Sequence, residues 1–120
     1  MKKFSVLLVD DEHEIREFLS DYMKEKGYYN ILEAANLFET EKILASDEVV
    51  DLVVLDLIMP DSKGLEALAA VREKFSDVKV IVLTGYPGLR DESLSVGAAL
   101  HIEKPFSPQE VEGCIRDELH

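Results

Sequence analysis

Residues 49–60 read Val49-Val50-Asp51-Leu52-Val53-Val54-Leu55-Asp56-Leu57-Ile58-Met59-Pro60, a nearly unbroken apolar run from Val49 to Leu55 that halts on one aspartate. A run that is apolar at successive rather than alternate positions belongs to a strand covered on both faces, as in a parallel sheet with helices on each side. Two other stretches have this character: Phe4 to Val9, which halts at Asp10-Asp11, and Val78 to Leu83, which halts at Thr84. Tyr28 to Glu33 and Ala99 to Ile102 are more mixed and fit strands nearer the sheet edges.

Helical patterns fill the intervals. Ile15, Phe18, Leu19, Tyr22 and Met23 follow i, i+3, i+4, i+7, i+8 spacing and predict one apolar stripe, stopped by Gly27 in a left-handed conformation. Asn36 with Glu39 suits the start of a second helix, although Glu41 falls where a buried residue is expected. Leu65, Leu68, Val71 and Phe75 mark a third, and Leu89 to Val96, ended by Gly97, a short fourth. Ser107-Pro108-Gln109-Glu110 is a capping box with proline at the first helical position, opening the fifth. The expectation is a single α/β domain over residues 1–120, (βα)5 and doubly wound, with its ligand site beyond the carboxyl ends of the strands.

Composition narrows the function classes. The 120 residues carry 25 Asp and Glu against 13 Lys and Arg, a net charge of −12, which argues against direct nucleic-acid binding. No apolar run approaches the ~20 residues needed to cross a bilayer, and the basic start ends too soon at Asp10-Asp11 for a secretory signal, so a cytoplasmic location is expected. The single cysteine, Cys114, lies at helical spacing with Val111, Ile115 and Leu119 and reads as a packing residue; no internal disulfide or thiolate metal site can form. His13 and His120 read as solvated surface positions.

The chemistry collects at the strand ends: Asp10 and Asp11 after the first, Asp56 after the third, Thr84 at the fourth and Lys104-Pro105 after the fifth. Any one of these is an ordinary turn or cap residue; their convergence is not. Two carboxylates ~4 Å apart repel by ~4 kcal/mol at an effective dielectric of ~20, so three cannot all stay ionised in a dry pocket without a counter-charge. Lys104 supplies one. A hard, all-oxygen ligand set suits Mg²⁺, or Mn²⁺ in substitution. A carboxylate surrounded by a hydroxyl, an ammonium and a metal can act as a nucleophile toward a phosphoryl group.

The acidic pair after the first strand, Leu55-Asp56-Leu57-Ile58-Met59-Pro60 with Gly64, Leu83-Thr84-Gly85 and Lys104-Pro105-Phe106 together resemble the response-regulator receiver family of two-component signalling, over essentially the whole chain. The resemblance implies a flavodoxin-like, five-stranded parallel sheet in the order 2-1-3-4-5. It implies that Asp56 accepts a phosphoryl group from the phosphohistidine of a sensor histidine kinase or histidine phosphotransfer protein. Asp11 would bind Mg²⁺ directly, Asp10 mainly through water, and the Ile58 backbone carbonyl would complete the protein ligands. Thr84 and Lys104 would hold phosphoryl oxygens, with the Gly85 amide nearby, and the Lys104-Pro105 bond would be cis. The chain is then not an enzyme in the usual sense but a phosphoacceptor that assists its own phosphorylation and dephosphorylation.

The surface of the fourth helix, fifth strand and fifth helix, about Leu89 to Leu119, would be the readout, forming a homodimer or docking an effector. Most such receivers carry an effector domain, so a receiver from a longer protein is the expected case. Gly85-Tyr86-Pro87-Gly88 fits a loop that moves with Thr84. His101 stands where the family usually has Tyr or Phe, at a position that swings inward as Thr84 moves; the resemblance implies a switch residue that couples more weakly, against the bland reading of a partly exposed strand residue. Ile58 and Tyr86 are bulky and apolar where water access to the phosphoryl group is set, which implies slow self-dephosphorylation. The alternative with the same fold is an unphosphorylated pseudo-receiver acting as a docking or dimerisation module, but no pocket residue is missing. A Mg²⁺-dependent phosphatase needs an acid/base Asp two residues after Asp56, where Ile58 stands, and a flavin site needs a Ser/Thr/Gly-rich loop in place of Asp-Asp-Glu-His.

Overall fold

A computed structural model describes residues 3–85 and 87–119. Its elements alternate: β1 (Phe4–Val9), α1 (His13–Glu25), β2 (Tyr29–Ala34), α2 (Leu37–Leu44), β3 (Leu52–Leu55), α3 (Glu66–Lys74), β4 (Lys79–Thr84), a 3-10 turn (Pro87–Leu89), α4 (Arg90–Val96), β5 (Leu100–Glu103) and α5 (Pro108–Leu119). The strands form one sheet in the order β2-β1-β3-β4-β5, every neighbouring pair parallel. No described helix is long and apolar enough to cross a membrane.

The unbroken apolar runs are explained by a core on each side of the sheet. Val6, Leu8, Leu52, Val54, Ile81 and Leu83 face Leu19 and Met23 of α1 and Val111 and Ile115 of α5. Their neighbours Leu7, Val9, Val53, Leu55, Val80 and Val82 face Ala67, Leu68 and Val71 of α3, with Leu37 and Ile43 of α2 and Val96 of α4 at the margin. Successive strand residues alternate between the two, so each must be apolar.

The helix signals hold at several ends. Asn36 Oδ1 accepts from Glu39 N at 2.8 Å and Ser107 Oγ from Glu110 N at 3.0 Å. Gly27 and Gly97 have φ of 83° and 118°, the left-handed stops expected of them. Other expectations need correction. The strand expected from Val49 begins only at Leu52, and Val49 is 68% exposed, because the hydrogen bonds to β1 reach back only as far as Asp51, whose N–H donates to Ser5 O. The α1 stripe is narrower than its spacing: Leu19 and Met23 are buried, but Phe18 is 58% exposed. Glu41, anomalous as a core residue, is instead paired with Lys74 of α3.

Candidate functional site

The backbone ladder of the sheet continues one step past its strands. Asp10 N donates to Ala34 O at 3.2 Å, Asp56 N to Val9 O at 3.0 Å and Lys104 N to Thr84 O at 2.9 Å. Strand pairing therefore fixes the main chain of all three residues and brings their side chains to one end of the sheet. The Lys104-Pro105 bond is cis.

Lys104 Nζ is the hub. It donates to Asp10 Oδ2 at 3.1 Å, Asp56 Oδ2 at 3.2 Å and Glu12 Oε1 at 3.4 Å. Asp10 and Asp56 are buried, while Asp11 is exposed at the rim. Each of the three aspartates offers a carboxylate oxygen to one locus, these oxygens lying within 4.8 Å of one another. Asp10 Oδ1 also accepts from Glu12 N at 2.9 Å, Asp56 Oδ1 accepts from Ile58 N at 3.1 Å, and the Arg16 guanidinium donates to the Asp10 carbonyl. Thr84 is fully buried at the end of β4.

Electrostatics follow from this packing. Burial raises the Asp56 pKa from its ordinary 3.8 to about 6; the Ile58 N–H opposes the rise, Asp10 adds to it, and Lys104 opposes it. Burial acts to lower the pKa of Lys104, but the Asp10 and Asp56 carboxylates outweigh it and the net change is upward. One ammonium therefore does not fully compensate the pocket, and the shortfall is what a divalent cation would fill. Three carboxylates without thiolate or imidazole fit a hard cation such as Mg²⁺.

His101 is buried on β5, not half-exposed, and neither ring nitrogen finds a hydrogen-bond partner among the described residues. Its register partner on β4 is Val82, two residues before Thr84, so His101 and Thr84 share a face of the sheet. His13 is exposed beside Glu17, and Cys114 packs at the edge of the α1–α5 core, both as read from sequence. Tyr86 and His120 lie outside the described residues. Glu12 and Arg16 were not singled out by their sequence. Charged residues at the start of a helix are commonplace, and only tertiary geometry places these two against Lys104 and Asp10. Beside Lys104 lies an apolar hollow of about 480 Å³ lined by Ile15, Phe18, Pro105, Phe106 and Glu12, which accounts for the exposure of Phe18.

The response regulator receiver domain model matches residues 6–116, and the chain belongs to that family. Its relatives include the transcriptional regulatory protein YvrH of Bacillus subtilis, 37% identical over 121 residues covering 99% of this chain and 50% of YvrH. Sporulation initiation phosphotransferase F of the same bacterium is 31% identical, covering 99% and 96%. Among solved structures, a CheY-like receiver domain protein from Methanospirillum hungatei aligns with a TM-score of 0.89 at 28% identity, over 98% of this chain and 94% of that one. The response regulator TrrA of Thermotoga maritima, solved in complex with Mg²⁺–BeF, aligns at 0.83 and 36% identity over 98% of both chains. The chain spans about half the length of YvrH and of the algal ycf27 transcriptional regulators it also matches.

Proposed function

We propose that Asp56 accepts a phosphoryl group from the phosphohistidine of a sensor histidine kinase or histidine phosphotransfer protein, assisted by Mg²⁺. The observation that carries this reading is the convergence of Asp10, Asp11 and Asp56 on one locus, with Lys104 Nζ bridging Asp10 and Asp56. An Asp56 oxygen forms the new bond to phosphorus as the phosphorus–nitrogen bond breaks, and the imidazole keeps that electron pair. Lys104, and the Thr84 hydroxyl at the neighbouring strand end, would hold phosphoryl oxygens as their charge is redistributed. Asp10, Asp11, Asp56 and the Ile58 carbonyl would hold Mg²⁺, which supplies further positive charge to those oxygens. The apolar hollow of Ile15, Phe18 and Phe106, opening beside Lys104, offers the donor protein a seat next to the acceptor.

Phosphorylation replaces the single negative charge of the Asp56 carboxylate by a phosphoryl group of about −1.5 to −2, set against Lys104 and Thr84. That change would bias a two-state equilibrium of the loop after β4 and of His101, altering the α4–β5–α5 surface offered to an effector or a second copy. Half-exposed Ile58 beside Asp56 supports slow self-dephosphorylation, checked by the decay of labelled protein in Mg²⁺. The functional test is incubation with acetyl phosphate, with Mg²⁺ or EDTA, followed by intact mass. One phosphoryl addition that needs Mg²⁺ supports the reading. No addition from acetyl phosphate or from a phosphohistidine donor rejects it.

A further inference from the structure

A helix leaves the N–H groups of its first turn without intrahelical partners. In α2 the local cap Asn36 takes only that of Glu39, while Leu37 N and Phe38 N donate to Asp61 Oδ1 and Oδ2 at 2.9 and 3.0 Å. Asp61 belongs to another segment, the β3–α3 loop that begins with Asp56. A carboxylate suits this place, since both oxygens accept and its charge meets the positive end of the helix.

The loop is held by few other bonds. Asp56 N fastens its base to β1, Leu57 and Met59 plug into the core, and Met59 bridges Ser62. Between Asp56 and Asp61 lies Ile58, whose amide donates to Asp56 Oδ1 at 3.1 Å and whose side chain is 47% exposed. The Asp61–α2 contact thus closes the far end of the segment that shapes one wall of the site.

We propose that Asp61 is a positioning residue of the phosphoacceptor site, its carboxylate pinning the β3–α3 loop to α2 and so presetting the Ile58 amide and carbonyl around Asp56. This rests on the metal-assisted reading above, because the Ile58 carbonyl matters only if a cation is held there. A pinned loop is already ordered when the cation arrives; a released loop must be ordered at that step, which weakens binding. Linkage makes the effect reciprocal, so Mg²⁺ bound at the aspartates must in turn strengthen the Asp61–α2 contact.

The experiment uses Mg²⁺ alone, followed by amide NMR shifts and hydrogen exchange on wild type, Asp61→Ala and Asp61→Asn. In wild type, Mg²⁺ should shift the Asp11 and Asp56 amides and slow exchange at Leu37 and Phe38 by roughly fivefold, the scale of one helix cap. Asp61→Ala should bind Mg²⁺ roughly fivefold more weakly, with exchange at those two amides indifferent to the ion. Asp61→Asn, which keeps one acceptor oxygen, should fall between. A purely structural contact would lower stability and leave Mg²⁺ affinity unchanged. Mg²⁺ shifts at Asp11 and Asp56, with unaltered exchange at Leu37 and Phe38 in wild type, would overturn the positioning role while leaving the metal reading intact. No Mg²⁺ shift at all would overturn both. The wild-type exchange measurement decides the matter even if Asp61→Ala fails to fold.

Discussion

Replacing Asp56 by Asn should make the metal-free protein more stable at neutral pH. Asp56 is almost fully buried, and its pKa rises from 3.8 unfolded to about 6 folded, chiefly through desolvation, with Asp10 adding to the rise. A group that holds its proton more tightly when folded favours folding as pH falls through that window; above about 6 its ionised form opposes folding. The difference corresponds to a penalty of up to about 3 kcal/mol. Asparagine keeps the shape and a hydrogen-bond acceptor for Lys104 but carries no charge to desolvate. Urea unfolding in EDTA, followed by circular dichroism from pH 5 to pH 7.5, measures the effect. The Asp56→Asn midpoint should exceed wild type by on the order of 1 M at pH 7.5, and the gap should narrow toward pH 5. Added Mg²⁺ should narrow it too, by stabilising the wild-type carboxylates. An Asp56→Asn protein no more stable than wild type at pH 7.5, or a gap that ignores pH, would refute the claim that the pocket lacks positive charge.

Two further substitutions separate the roles of neighbouring groups. Lys104→Met removes the cation bridging Asp10, Glu12 and Asp56. It should tighten Mg²⁺ binding, read by amide shifts, yet slow phosphoryl uptake at saturating Mg²⁺ by roughly 10²-fold, the usual scale for losing one oxyanion donor. Tyr29→Phe removes the 2.7 Å hydrogen bond to Glu112, a carboxylate buried on α5. Thermal unfolding should show a loss of about 1–3 kcal/mol, with Mg²⁺ affinity unchanged because this network lies away from the site.

The fold was legible because its physical causes are local and repeated. Leu52–Leu55 had to be apolar at every position once both faces of β3 were covered, and Asn36, Gly97 and Ser107 announced helix ends through their own chemistry. The site residues were legible for a related reason: a parallel sheet sends all its carboxyl ends to one edge, so Asp10, Asp56, Thr84 and Lys104 could be gathered from strand positions alone. What escaped depends on contacts between segments distant in sequence. Val49 has the composition of a strand residue, but β1 pairs with β3 only from Leu52 onward. Phe18 has the spacing of a core residue, yet it borders the hollow beside Lys104. The same holds for Arg16 beneath Asp10 and for Asp61 on α2, where an aspartate in a loop gives no sequence sign of which helix it caps. His101 was placed on the right strand, but its depth stayed open between a partly exposed position and a switch residue, because alternation in an edge strand says little about how deeply it is covered.

Which of Asp10, Asp11 and Asp56 takes the phosphoryl group can be read directly, and Asp56 is the expected acceptor. Protein treated with acetyl phosphate and Mg²⁺ can be reduced with tritiated borohydride, which converts an aspartyl phosphate to labelled homoserine, and then digested with trypsin. Label should appear in the peptide of residues 43–63, at position 56, and be absent when EDTA is present. Label in the peptide that carries Asp10 and Asp11, or equal labelling of an Asp56→Asn protein, would contradict that assignment.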